Sequence, residues 1–162
     1  MRKAIFFDRD GTINSDIGHY YIYKKQDFLL NEGVIETMRK LQESNFLLFI
    51  VTNQGGVAKG IYSCEDVEVV NDYMLELLNA EGIRIENIYY CPHHESVSKC
   101  ECRKPSAYFL NKAVEDYNLD KAQCFMIGDS KRDMESAKTA DIKGLKIAAN
   151  ENMTHLLSQI EL

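Results

Sequence analysis

No run of this sequence comes near the ~20 consecutive apolar residues that a membrane-crossing helix needs, so a membrane-embedded fold is not expected. No apolar signal-peptide core precedes the first predicted strand: Met1-Arg2-Lys3 leads straight into it, which points to the cytoplasm. Basic residues are the minority, 19 Lys and Arg against 25 Asp and Glu, for a net charge of −6. Phosphate-backbone contacts need a basic stripe, so extended nucleic-acid binding is not expected. A small anionic substrate fits if a few cations are gathered locally. Internal repeats, linkers and low-complexity segments are also lacking. The 162 residues therefore read as one domain, 1–162, able to bury roughly 70% of its unfolded surface. Five cysteines in a reducing compartment do not make a disulfide framework, and their crowding near position 100 suggests a metal.

What is present is organised around the first residues. Lys3-Ala4-Ile5-Phe6-Phe7 is a short apolar run with the look of a buried strand, and it runs into Asp8-Arg9-Asp10-Gly11-Thr12. Gly11 turns the chain sharply, leaving two carboxylates at the strand's carboxyl end, where open α/β sheets bind ligands. Residues two apart on an extended segment lean to one side, so Asp8 and Asp10 can share a small site while Arg9 faces away. Two such carboxylates repel unless one is protonated or a cation lies between them, and Mg²⁺ suits that place. An acidic turn after a strand is the plainer alternative.

Further along, Asn14 to Leu30 reads as a loop or small hairpin. Val34, Met38 and Leu41 share a helical face. Phe46 to Val51 is a continuous apolar run, as in a strand covered on both faces. Ser63 with Asp66 forms a helix-start signal ahead of Val67, Val70, Met74 and Leu77. Ile88 to Tyr90 gives a third strand, followed by an irregular loop, 91–104. Pro105 is placed to open the next helix, with Phe109, Leu110, Ala113, Val114 and Tyr117 as its stripe. Cys124 to Ile127 is a fourth strand, a helix runs through Met134, Ala137 and Ala140, and a fifth strand lies near Leu145 to Ala148. A short helix near 153–160 closes the chain. This alternation implies an α/β fold: a three-layer, doubly wound parallel sheet with helices on both faces.

Polar clusters then fall at the strand ends: Asp8 and Asp10, Thr52 and Asn53, Arg103 and Lys104 after the third strand's loop, and Asp129 with Asp133. In a doubly wound sheet they converge on one crevice, which weakens the acidic-turn alternative. As an ordered set they resemble the signatures of the haloacid dehalogenase superfamily of phosphotransferases: Asp8-Arg9-Asp10-Gly11-Thr12, Thr52-Asn53-Gln54, Lys104, and Gly128-Asp129 with Asp133. The resemblance implies a Rossmann-like fold, with Asp8 as nucleophile and Asp10 as the acid and then the base. It implies Mg²⁺ held by Asp8, Asp10 through its carbonyl, and Asp129, with Asp133 in support. Thr52, Asn53, Gln54 and Lys104 would surround the transferring phosphoryl group and substrate.

Cys91, His93, Cys100 and Cys102 supply three thiolates and an imidazole, the donor set of a closed structural Zn²⁺ site, with His94 a less favoured substitute for His93. Cys64 and Cys124 read as ordinary buried residues, and His155 as a surface one. The zinc loop followed by Arg103-Lys104-Pro105 resembles the superfamily branch of heptose bisphosphate 7-phosphatases and histidinol-phosphate phosphatases. That resemblance implies a capless, open site acting on a small phosphorylated substrate. Arg103 would meet a second phosphate, and Asp16 and His19 the sugar hydroxyls. The leading expectation is removal of the 7-phosphate of D-glycero-D-manno-heptose 1,7-bisphosphate by a monomer. Histidinol phosphate is the alternative substrate, and a nucleic-acid 3′-phosphatase or a silent zinc-bearing scaffold are more distant readings. The chain departs from the heptose enzymes at Gly55, usually Ser there, and at Ser130, usually Lys.

Overall fold

The computed structural model describes residues 1–162. The first strand, β1 (Arg2–Phe7), is β-rich in composition and has Ala4, Ile5, Phe6 and Phe7 wholly buried, so neither of its faces meets water. It is the middle strand of five. The others are β2 (Leu47–Asn53), β3 (Asn87–Cys91), β4 (Leu119–Gly128) and β5 (Lys143–Lys146), in the order β3-β2-β1-β4-β5 and parallel throughout.

Helices cover both faces. Ile5, Phe7, Leu48, Ile50 and Ile127 pack against α1 (Val34–Glu43) through Val34, Met38 and Leu41, and against α2 (Cys64–Ala80) through Val70, Met74 and Leu78. Ala4, Phe6, Phe49, Val51 and Met126 pack on the other side against Leu110 and Ala113 of α3 (Tyr108–Tyr117) and Ala137 of α4 (Lys131–Thr139). The alternation of side chains along each strand thus divides the core into two layers of packing around one sheet. The chain crosses from one side of β1 to the other between β3 and β4, so a crevice opens at the carboxyl end of β1, between β2 and β4.

Two helices begin in matching fashion. At α2 the Ser63 side chain accepts from the Asp66 amide while Asp66 accepts from the Ser63 amide, and Ser130 and Asp133 repeat the arrangement at α4. The second of these caps faces the crevice.

Several sequence expectations need correction. Pro105 does not open α3: it sits in a turn closed by a Ser106 amide to Arg103 carbonyl bond, and the helix starts at Tyr108, whose amide is taken by the Ser106 hydroxyl. Leu78 is the fully buried residue at the end of the α2 stripe, and Leu77 packs against the same core half-buried. Cys64 is half-buried at the first position of α2, while Cys124 is buried in β4. The segment after Asp10 is a loop with one 3₁₀ turn (Lys25–Asp27), tied by isolated bridges from Asn14 to Asp10 and Leu30. The chain ends in a second 3₁₀ turn, Thr154–Gln159, where a short helix was expected. His155 is exposed, as expected.

Candidate active site

Asp8 leaves the end of β1 with its amide bonded to the Ile127 carbonyl at 3.0 Å, which fixes the nucleophile candidate to the sheet itself. Lys104 reaches it from the loop after β3. Its Nζ donates to Asp8 Oδ1 at 2.8 Å, to Asp133 Oδ1 at 2.7 Å and to the Val51 carbonyl at 2.7 Å, with only 3% of the residue exposed. Burial alone would lower the Lys104 pKa, but the two carboxylates outweigh it and hold the pKa above the usual lysine range. Burial and the carboxylates of Asp133 and Asp129 push Asp8 up, and the ammonium offsets them only in part. The backbone of Lys104 is clamped as well: Asn53 Nδ2 donates to its carbonyl and its amide donates to Asn53 Oδ1, both at 3.0 Å. The end of β2 therefore sets the lysine's place.

Asp129 follows β4 and accepts from the Thr12 hydroxyl at 2.9 Å. Gly11 is essential beside it: its φ of +85° is left-handed, and a Cβ there would run into the Asp129 carboxylate. Oxygens of Asp8, Asp129 and Asp133 lie within 4.8 Å of one another. Three carboxylates against one ammonium leave two negative charges, which a hard divalent cation would match. Asp133 has little left to give such a cation. Its Oδ1 is taken by Lys104, and its Oδ2 by the Ser130 amide at 3.1 Å and hydroxyl at 2.9 Å. Asp8 and Asp129 keep free oxygens, and burial raises the Asp129 carboxyl above its ordinary value.

Asp10 is held differently. Its carboxylate accepts from Arg9 Nε at 2.9 Å and Nη2 at 3.0 Å, from Asn14 Nδ2 at 2.9 Å and from Gln54 Nε2 at 3.1 Å. Arg9 does not simply face away. It is buried, bonded to Asn71 Oδ1 and the Ile22 carbonyl, and it curls back to grip Asp10 with its fork.

Asp8, Asp10, Lys104 and Asp133 line one cleft of about 470 Å³, together with Thr52, Tyr20, Tyr21, Lys59, His94, Arg103 and Arg132. Asp16 and His19 are not among its walls. Asn150 ties Asp16 down, donating to its Oδ1 at 2.8 Å and accepting from its amide at 3.1 Å, and the His19 ring lies 3.9 Å from Asp27. The loop is anchored from below, so its tyrosines, not these two residues, reach the cleft. Gln54 is also turned inward, with both ends of its amide engaged.

Arg103 lines the cleft, with Nε 2.8 Å from Glu95 Oε2 and Nη1 donating to the His93 carbonyl at 3.2 Å. Behind it the Cys91 sulfur lies 3.1 Å from Cys102 Sγ, 3.7 Å from Cys100 Sγ and 3.4 Å from His93 Nδ1. Those spacings suit four donors about a single soft cation. His94 is outside this cluster, its Nδ1 2.7 Å from the Ser96 hydroxyl.

The geometry has close counterparts. Residues 101–161 match the family model described as HAD-hydrolase-like. A D-glycero-alpha-D-manno-heptose-1,7-bisphosphate 7-phosphatase of Campylobacter jejuni is 45% identical over 92% of this chain and 83% of its own. A D-glycero-beta-D-manno-heptose-1,7-bisphosphate 7-phosphatase of Haemophilus ducreyi is 40% identical over 88% and 80%. The chain belongs to the heptose bisphosphate phosphatase family of HAD-like hydrolases. Family members are phosphatases by name, hence phosphoric monoester hydrolases. The crystal structure of the D,D-heptose 1,7-bisphosphate phosphatase of B. bronchiseptica, complexed with magnesium and phosphate, superposes with a TM-score of 0.84 at 27% identity, covering 99% of this chain and 88% of that one. Family and fold agree with the resemblance read from the motifs.

Sequence reasoning missed Tyr62, Lys59 and Arg132 as cleft residues. None stands at a strand end or in a motif, so local pattern carries no sign of them.

Proposed function

We propose that the protein is a Mg²⁺-dependent phosphatase that removes the 7-phosphate of D-glycero-D-manno-heptose 1,7-bisphosphate, acting as a cytoplasmic one-domain monomer. The observation that carries this reading is the buried contact of Lys104 with Asp8, beside Asp129, in a chain so similar to heptose bisphosphate phosphatases. In the first step an Asp8 oxygen forms a bond to phosphorus as the bond from phosphorus to the C7 oxygen breaks, and Asp10 gives its proton to the departing oxygen. In the second, a water oxygen bonds to phosphorus, the aspartyl-phosphate bond breaks, and the water's proton passes to Asp10. The Thr52 hydroxyl, the Asn53 amide and the Lys104 ammonium hold the phosphoryl oxygens.

Asp8, Asp129 and the Asp10 carbonyl would hold Mg²⁺, with Asp133 reserved for placing Lys104. When bound, the ion supplies positive charge against the phosphoryl oxygens and the nucleophile. Cys91, His93, Cys100 and Cys102 would hold Zn²⁺ and stiffen the loop that presents Arg103 to the second phosphate. Because Asp16 and His19 stand back from the cleft, contacts to the sugar pass to Tyr20, Tyr21 and Lys59.

Phosphate release from both heptose bisphosphate anomers and from histidinol phosphate, with and without Mg²⁺, tests the reading. One heptose anomer should give the highest kcat/KM, and only with the metal. Histidinol phosphate as the far better substrate would overturn it.

A further inference from the structure

Tyr62 lies outside every strand end and signature discussed above, yet it is tied to the proposed acid and base. Its hydroxyl donates to Gln54 Oε1 at 2.7 Å, and Gln54 Nε2 donates in turn to Asp10 Oδ2 at 3.1 Å and Thr52 Oγ1 at 3.0 Å. An amide can present either its oxygen or its nitrogen to a neighbour. Turned the other way, Gln54 would set its oxygen against the Asp10 carboxylate and repel it. The Asp10 carboxylate can only accept and so takes the NH₂ end, and the Tyr62 hydroxyl, donating to the oxygen end, holds the amide in that orientation.

The ring is seated for that task. Tyr62 is 7% exposed, stacks on Tyr23 at 5.0 Å between centroids and 3° between planes, and meets Tyr21 edge-on at 5.7 Å. Gly56 makes room for it: a Cβ at that position would collide with the ring. Burial lifts the phenol to about 12, so it remains a donor across any working pH.

We propose that Tyr62 is a positioning residue for catalysis: its hydroxyl locks the Gln54 amide so that the amide's NH₂ group aims the Asp10 carboxylate at the leaving oxygen. This rests on the role given to Asp10 in the proposed function. It goes beyond that reading in assigning part of proton transfer to a residue that acts on Asp10 only through the Gln54 amide.

The experiment compares wild type and Tyr62→Phe in single turnover, with enzyme in excess. Two esters are used: the heptose bisphosphate, whose C7 alkoxide must be protonated, and p-nitrophenyl phosphate, whose phenolate leaves without help. The expected result is about a tenfold slower cleavage of the heptose ester, the rate equivalent of one lost hydrogen bond, with KM and nitrophenolate release within about twofold of wild type. Gln54→Leu should reproduce the loss, and adding Tyr62→Phe to it should cost nothing more, since the two act as one unit. Thermal unfolding confirms that each variant is folded.

Equal slowing of both esters, a change in KM alone, or additive losses in the double variant would each overturn the proposal. If wild type ignores the heptose ester and cleaves histidinol phosphate, the substrate assignment fails instead. Histidinol phosphate, also an alkyl ester, then takes the heptose compound's place in the comparison.

Discussion

Asp8 pays for its position with a charge that its surroundings oppose: burial and two nearby carboxylates raise its pKa, and one ammonium compensates incompletely. A carboxyl whose folded pKa lies above its unfolded value of about 3.8 favours the folded state at low pH and loses that contribution as pH rises through the folded value. At neutral pH and without metal, the ionised group therefore costs stability. Asp8→Asn should raise the thermal midpoint of the metal-free protein at pH 7 while cutting turnover by at least about 10³-fold, and added Mg²⁺ should stabilise wild type more than the variant. Calorimetry and phosphate release check the two halves. Asp8, Asp10 and Lys104 could be read from sequence because each stands where an apolar run or a metal loop gives way to polar residues. Gln54 and Tyr62 could not be assigned their places, since a bond from Gln54 to Asp10 spans 44 positions and leaves no period to detect. That Asp16 and His19 stand outside the cleft walls is hidden in the same way, as Asn150, 134 residues beyond Asp16, ties that loop down.

At the scale of elements, the caps and the metal loop do separate work. Ser63→Ala removes the cap of α2 and should lower stability by about 1 kcal/mol in denaturant unfolding. The loop between β3 and α3 is more consequential, because it carries Arg103 on one side and, on the other, four side chains that could hold a metal ion. Burial pushes the Cys91 and Cys102 thiols up in the metal-free loop, so the proposed zinc uptake would release protons near pH 7 and would weaken as pH falls. Cys102→Ser should abolish stoichiometric zinc and raise KM for the bisphosphate several-fold, with kcat less affected. Metal analysis beside steady-state kinetics reads both. The helices and strands themselves were legible from the spacing of Val34, Met38 and Leu41 and from runs such as Phe46 to Val51. The start of α3 was not, because Pro105 serves the turn that delivers Lys104 instead of the helix behind it.

For the whole molecule, a net charge of −6 surrounds a cleft that carries Lys59, Arg103, Lys104 and Arg132. The general field repels an anionic substrate and the local cations draw it in, and the exposed members of that set are screened by salt. KM for a bisphosphate should therefore climb more steeply with ionic strength than KM for a monophosphate, in an assay from about 0.01 to 0.5 M salt. The fold places this cleft at the open edge of a single sheet, with no second folded unit inserted after β1 or β3 to close over it, and with Tyr20 at its rim 88% exposed. The acyl phosphate proposed at Asp8 would open onto that cleft, so its fate would be set by whatever nucleophile the liquid supplies. In concentrated methanol or glycerol the phosphoryl group should divide between acceptors, giving alkyl phosphate alongside inorganic phosphate, a chemical signature of a site without a door.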